Sequence, residues 1–281
     1  MELSIYAEGS GFRGKSDLKS VIDLLSGYEV AFGYCLQRAS ISRDVIPRAL
    51  HPKIRLRTMA PGSLDIRLVT DLAAAITPLA PQIFGQAWQL YKAGYDLIAI
   101  ATKYFNEKGA PMTITISDSP GATVNVINGH QVNTSPEVLK TAVHNHKFLD
   151  KIAGLIKIGK ADRITMGANH PEPFEQLEFN RTNKNSFHLP SIDMLDETPI
   201  EFECSIYRFN KKTLKGYLEY YDREDAQIIP FETSRPLLDD CLDAFKADRA
   251  SVSAQKEIST NALGEIKIKK FHLLSINTIT E

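Results

Sequence analysis

Residues 9–16 read Gly-Ser-Gly-Phe-Arg-Gly-Lys-Ser and fit the phosphate-loop pattern G-x-x-x-x-G-K-[ST] at every fixed position. No other stretch restricts the possible folds so sharply. A working loop of this kind joins a buried parallel strand to a helix, so that backbone N–H groups cradle phosphates, the Lys reaches the terminal ones and the Ser hydroxyl meets Mg²⁺. Gly14, Lys15 and Ser16 would take those roles here. The flanks suit the local part of that demand. Residues 3–7 alternate as a strand does, and residues 17–38 carry apolar side chains at helical spacing, interrupted by Gly27 and Gly33.

The order of the elements that follow does not suit it. Residues 53–59 alternate basic and apolar, Pro61-Gly62 signals a turn, and residues 63–69 alternate again, which predicts an antiparallel hairpin. Pro78 and Pro81 open a long helix over 82–106, with Gly109 beyond its end. Residues 112–117 and 123–127 alternate around the turn 118–121, and Asn128-Gly129 marks another turn. Ser135-Pro136-Glu137 starts a helix that runs to about residue 156, and 163–167 and 176–179 read as short strands. This is segregated α+β order rather than alternating β-α-β. The first strand, with Glu2, Ser4 and Tyr6 at alternate positions, suits an exposed antiparallel strand at the edge of such a domain. Residues 9–16 are then a Gly-rich strand-to-helix connection, with Arg13 and Lys15 placed to meet an anion at a helix start. Nucleoside triphosphate binding through Gly14, Lys15 and Ser16 is the alternative.

Residues 180–198 are rich in Asn, Ser, Asp and Pro and show no period. They separate an α+β domain over 1–185 from a second domain over 199–281, with 186–198 as a linker. Beyond the linker, 199–208, 213–221 and 227–231 read as strands, 235–248 as a helix, and 251–258 and 265–276 as strands. The order β-β-β-α-β-β suits a small five-stranded barrel, OB-like or SH3-like.

Composition narrows the function. A chain of 281 residues with 43% hydrophobic and 24% charged residues buries a real core, and a net charge of −1 gives no protein-wide attraction to nucleic acid or anionic lipid. Any such contact needs a local patch. Lys53, Arg55 and Arg57 form one at strand spacing, able to follow phosphates. Lys211, Lys212 and Lys215 form another among Tyr207, Tyr217, Tyr220, Tyr221 and Phe231, the mixture that single-strand binders use to stack bases and neutralise backbone. Cys35, Cys204 and Cys241 are too far apart for a disulfide framework or a zinc spacing. His144 and His146 point roughly 200° apart on a helix and cannot share a metal. No nucleophile or acid–base frame stands out, so no catalytic residue, metal or cofactor is expected. No apolar run reaches membrane-spanning length, and a cytoplasmic protein is expected. The helix over 82–106 is apolar over more than one stripe, so its Trp88 side is either core or a surface for self-association or a partner protein.

Glu8-Gly9, the arm Gly62-Ser63-Leu64-Asp65-Ile66, the helix end Lys108-Gly109-Ala110-Pro111 and the segment Lys212-Thr213-Leu214-Lys215-Gly216 together give a pattern over most of the chain. That pattern resembles a family of uncharacterised bacterial and prophage-encoded proteins. The resemblance implies an α+β domain joined to a five-stranded barrel, no catalytic residues, and a setting among mobile elements and antiviral defence. Lys15-Ser16 is not among the features shared. The expected function is a non-catalytic binding or assembly protein that contacts nucleic acid or a partner protein.

Overall fold

The structure, a computed structural model, describes residues 2–12, 18–41, 53–56, 64–71, 80–116, 124–127, 131–169, 176–222, 225–247 and 249–279. It is a mixed α/β structure with four α-helices among the described residues. Two compact units divide it: residues 1–190 with 262–264, and residues 191–261 with 265–281.

The first unit holds a five-stranded antiparallel sheet. β1 (Glu2–Glu8) is its central strand, flanked by β3 (Leu64–Asp71) and β7 (Arg163–Asn169), with β2 (Lys53–Leu56) and β8 (Leu177–Asn180) at the two edges. The two arms of the predicted hairpin pair antiparallel, with Leu56 opposite Leu68, and its turn at Pro61-Gly62 lies outside the described residues. The first strand is therefore not an edge. Its polar positions mislead because only one of its faces is covered: Ile5 and Ala7 are fully buried, whereas Tyr6 is 39% exposed. Ile5 lies in register with Ile66 and Met166.

Three helices form the other part of this core: α1 (Leu18–Ile41), α2 (Ala80–Lys108) and α3 (Pro136–Ala153). Their start and stop signals are physical. Ser135 caps α3 by accepting from the Val138 N–H, Pro136 fills the first turn, Glu137 sits at the positive end of the helix dipole and Lys151 at the negative end. α2 buries Phe84, Ala87, Trp88, Tyr91, Ile98 and Ala101, which recur at helical spacing, and packs against α1 and α3. Trp88 stacks on Tyr91 at 5.8 Å and meets Phe32 of α1 at 6.2 Å. The Trp88 side of the long helix is thus core of its own unit.

The segment between α2 and α3 differs from expectation. β4 (Thr113–Ile116) and β5 (Val124–Ile127) do not pair with each other. Both pair with β6 (Gln131–Thr134), β4 in parallel and β5 antiparallel. The short run Gln131-Val132-Asn133-Thr134 has one apolar residue, Val132, and its alternation is too brief to register as a strand.

Residues 186–198, read as a linker, are structured. A 3₁₀ turn over Lys184–Phe187 buries Phe187 against Tyr95 and Phe179, at 4.5 and 4.8 Å between ring centroids. Ser191 already begins β9 (Ser191–Asn210). Residues 191–195 are exposed without alternation, which removes the period that announces a strand.

The second unit is a closed five-stranded barrel. Its strands are β9, β10 (Lys215–Asp222), β11 (Asp225–Glu232), β12 (Ala250–Asn261) and β13 (Ile266–Thr278), in the order β10-β11-β13-β12-β9. Every neighbouring pair is antiparallel except β11 and β13. α4 (Leu238–Lys246) lies between β11 and β12 in the chain, with Asp239 and Asp240 in its first turn and Lys246 in its last. Phe202, Tyr220 and Phe271 fill the interior at 4.7–5.3 Å from one another.

Candidate functional site on the barrel face

The site is built on β9, β10 and β11. At the end of β9 the Asn210 side-chain oxygen accepts from the backbone N–H groups of Lys212 and Thr213, at 3.0 and 3.3 Å. Leu214 closes the turn with φ 57°, and its N–H donates to the Asn210 carbonyl at 2.8 Å. This Asx turn holds Lys211 and Lys212 out in solvent. One residue into β10, Gly216 permits a close approach. A Cβ there would lie 2.2 Å from the Arg208 carbonyl and 2.6 Å from the Phe231 ring.

A bulge then sets the outer face. Tyr217 pairs with Arg208, but Leu218 pairs with Ile206, so Tyr207 has no opposite residue. Tyr207 and Arg208 are consequently both exposed, Tyr207 at 70%. On the other side of Tyr217 lies Pro230 of β11. Tyr217 is 43% exposed and Ile228, further along β11, is 57% exposed. Arg208, Asn210, Lys215, Tyr217, Pro230 and Lys270 line a cavity of about 300 Å³. Arg208, Lys211, Lys212 and Lys215 make no ion pair among the described residues. The arrangement therefore offers two accessible aromatic rings, of which Tyr217 lines the cavity, a proline beside Tyr217 and four cations available to an anion.

Lys270 is held differently. It donates to Glu232 and to Glu257, at 3.0 Å each. His272 lies between the same two carboxylates, Nδ1 at 2.9 Å from Glu232 and Nε2 at 3.3 Å from Glu257. The four side chains are only 27–31% exposed, which limits screening by salt. The hydrogen bond from Lys270 holds both carboxyls below their ordinary range and raises the ammonium above its own. Lys215 also acts on Glu232, so the ring is electrically continuous with the cavity.

The other residues singled out by sequence fall elsewhere. Arg13, Gly14, Lys15, Ser16 and Arg57 lie outside the described residues. The start of the phosphate-loop match is described. Gly9 has φ 150°, and a Cβ there would meet the Lys160 carbonyl at 2.3 Å. Ser10–Phe12 forms a 3₁₀ turn that buries Phe12. Both neighbours of β1 are antiparallel, so the parallel surroundings that nucleotide chemistry requires of this loop are not those of β1. Lys53 and Arg55 lie on the edge strand β2, in register with Asp71 and Val69. His144 stacks on Tyr34 at 3.9 Å, and His146 donates from Nδ1 to the Val143 carbonyl at 2.7 Å, so the two histidines have separate partners.

Among the described residues no cluster of His, Cys, Asp and Glu could hold a metal ion, and no helix is long and apolar enough to cross a membrane. Burial pushes the Cys35 and Cys204 thiols up to about 12, which leaves them unreactive as nucleophiles. A second cavity, of about 430 Å³, lies along α2, where its one acid–base pair, Lys92 and Asp96, is joined at 2.8 Å.

Lys211, Lys212, Lys215 and Tyr217 stand out in the sequence, whereas Arg208, Pro230 and Lys270 do not. The signal available for Arg208 was its place next to Tyr207 in a strand, but the bulge that turns both outward is a property of the pairing. No protein family, no curated protein and no solved structure matches this chain.

Proposed function

We propose that the barrel is of the OB type and that the protein binds single-stranded nucleic acid without catalysis. One observation carries the reading: an accessible Tyr217 between Arg208 and Pro230, with Lys215 in the same cavity and the Lys211-Lys212 turn beside it. OB barrels bind oligonucleotides on the face of their second and third strands and with the loop between the first and second. In this barrel those are β10, β11 and residues 211–214. The helix between the third and fourth strands and the parallel pairing of third and fifth support the same assignment. Tyr217 offers a face on which any base can stack, and the cations neutralise phosphates. Asp239, Asp240 and Asp243 lie on α4, which packs on β9 and β13. Glu219, two residues beyond Tyr217, bounds the face of β10 on which Lys215 is the one basic residue.

Fluorescence anisotropy with labelled oligonucleotides of about 12 nucleotides, near the site size of one OB barrel, tests this. Single strands are expected to bind more tightly than a duplex, with affinity falling as salt rises. Absent binding, or binding indifferent to both salt and Tyr217→Ala, would sink the proposal.

A further inference from the structure

The ring formed by Glu232, Lys270, Glu257 and His272 contains one member, Lys270, that also lines the cavity. We propose that this ring couples the site to protons: a ligand phosphate taken by Lys270 and a proton taken by His272 bind together. This rests on the nucleic-acid reading above and assigns its regulation.

The argument is geometric. Lys270 at present serves both carboxylates at 3.0 Å. A phosphate entering the cavity beside Arg208 and Lys215 competes for that ammonium. To the extent that Lys270 turns to the phosphate, Glu232 and Glu257 lose their shared cation. His272 is already placed to replace it, since each ring nitrogen faces a carboxylate oxygen. A neutral imidazole has a single N–H and can donate to one of them; an imidazolium donates to both. The proton comes from solvent and stays on the imidazole, so no other group changes charge. The charged groups around His272 are Glu232 from β11, Glu257 from β12 and Lys270 from its own strand, with Lys215 of β10 reaching it through Glu232 and Lys269 of its own strand through Glu257. Gln255, opposite His272 on β12, is neutral, and its amide donates to the Glu197 carbonyl at 3.0 Å. Coupling of this kind is reciprocal: protons tighten the oligonucleotide, and the oligonucleotide tightens the proton.

The test measures affinity for one labelled single strand at about pH 8 and about pH 6 at fixed ionic strength, across the range in which histidines change charge. For one linked proton, affinity rises on acidification by at most about tenfold per pH unit. His272→Gln is expected to bind at both values with a change below about twofold, its phosphate contacts being intact. Equal wild-type affinity at both values, or an unchanged pH response in His272→Gln, overturns the coupling and leaves the nucleic-acid reading standing. No binding at any pH overturns both. A measurement free of ligand checks the ring alone. In a histidine proton NMR titration, Lys270→Met should move the His272 midpoint upward, because two carboxylates then depend on one imidazole. A midpoint that stays in place overturns the inference.

Discussion

The Asp162 N–H donates to the Glu8 carbonyl at 2.7 Å, at the end of the ladder that pairs Glu8 with Arg163, and the backbone of residues 160–162 lies against Gly9. The first glycine of the phosphate-loop match therefore has a structural duty that needs no ligand. It ends the central strand where a second chain segment passes too close for any side chain.

Gly9→Ala should accordingly destabilise the first unit strongly. The new methyl would overlap backbone atoms at 2.3–2.8 Å, and φ 150° is strained for alanine. A loss of about 2–4 kcal/mol is expected in chemical denaturation. A variant within about 0.5 kcal/mol of the parent, the range of an ordinary surface change, would contradict the packing described.

Tyr217→Ala should weaken single-strand binding by about 1–3 kcal/mol, the worth of one stacked base, while leaving the barrel folded. The side chain stands outside the core, so the thermal midpoint should barely move. Lys211→Ala with Lys212→Ala should act differently. It should lower affinity for all sequences alike and flatten the plot of log affinity against log salt by about 0.7 per lost phosphate contact. Equal salt slopes for the parent and the double variant would remove the turn from the site.

Phe187→Ala probes the segment whose composition resembles a linker. Phe187 is fully buried between Tyr95 and Phe179. Its truncation should cost the first unit about 3–5 kcal/mol, as expected for an aromatic ring in a core. A true linker residue would lose almost nothing in the same denaturation experiment.

His144 makes stability depend on pH. Burial against Tyr34, followed by the charge of Arg38 and by His146, lowers its pKa from the ordinary 6.5. The folded chain thus binds this proton less readily than the unfolded chain. The contribution is present above pH 6.5 and fades as pH falls through and below that value. Denaturation curves at about pH 7.5 and about pH 5.5 should show the loss, and His144→Gln should reduce it. An identical pH response in the two proteins would dissociate the effect from His144.

The legible parts of the fold were those fixed by local chemistry. The cap at Ser135, the hairpin at 53–71 and the apolar stripe of α2 all announce themselves through residue type and spacing. What stayed hidden depends on pairing. Nothing in residues 2–8 tells whether one neighbour or two will cover their edges. Nothing in Gln131–Thr134 shows that it will lie between two strands. The site divides in the same way. Its lysines and Tyr217 stand out as a basic and aromatic mixture, whereas Arg208, Pro230 and Lys270 join it only through the bulge opposite Tyr217 and the closure of the barrel.

The central place of β1 also bears on synthesis. Its partner β3 leaves the ribosome soon after it, but β7 begins only at Arg163. Until then one side of the first strand offers its peptide groups to any extended chain nearby, the kind of transient opening through which growing proteins misassemble. Pairing partners this far apart in sequence also slow folding, since a long loop must close before the sheet is complete. Three helices span that interval. Once these helices pack on one another, the distance the last strands must search is shorter.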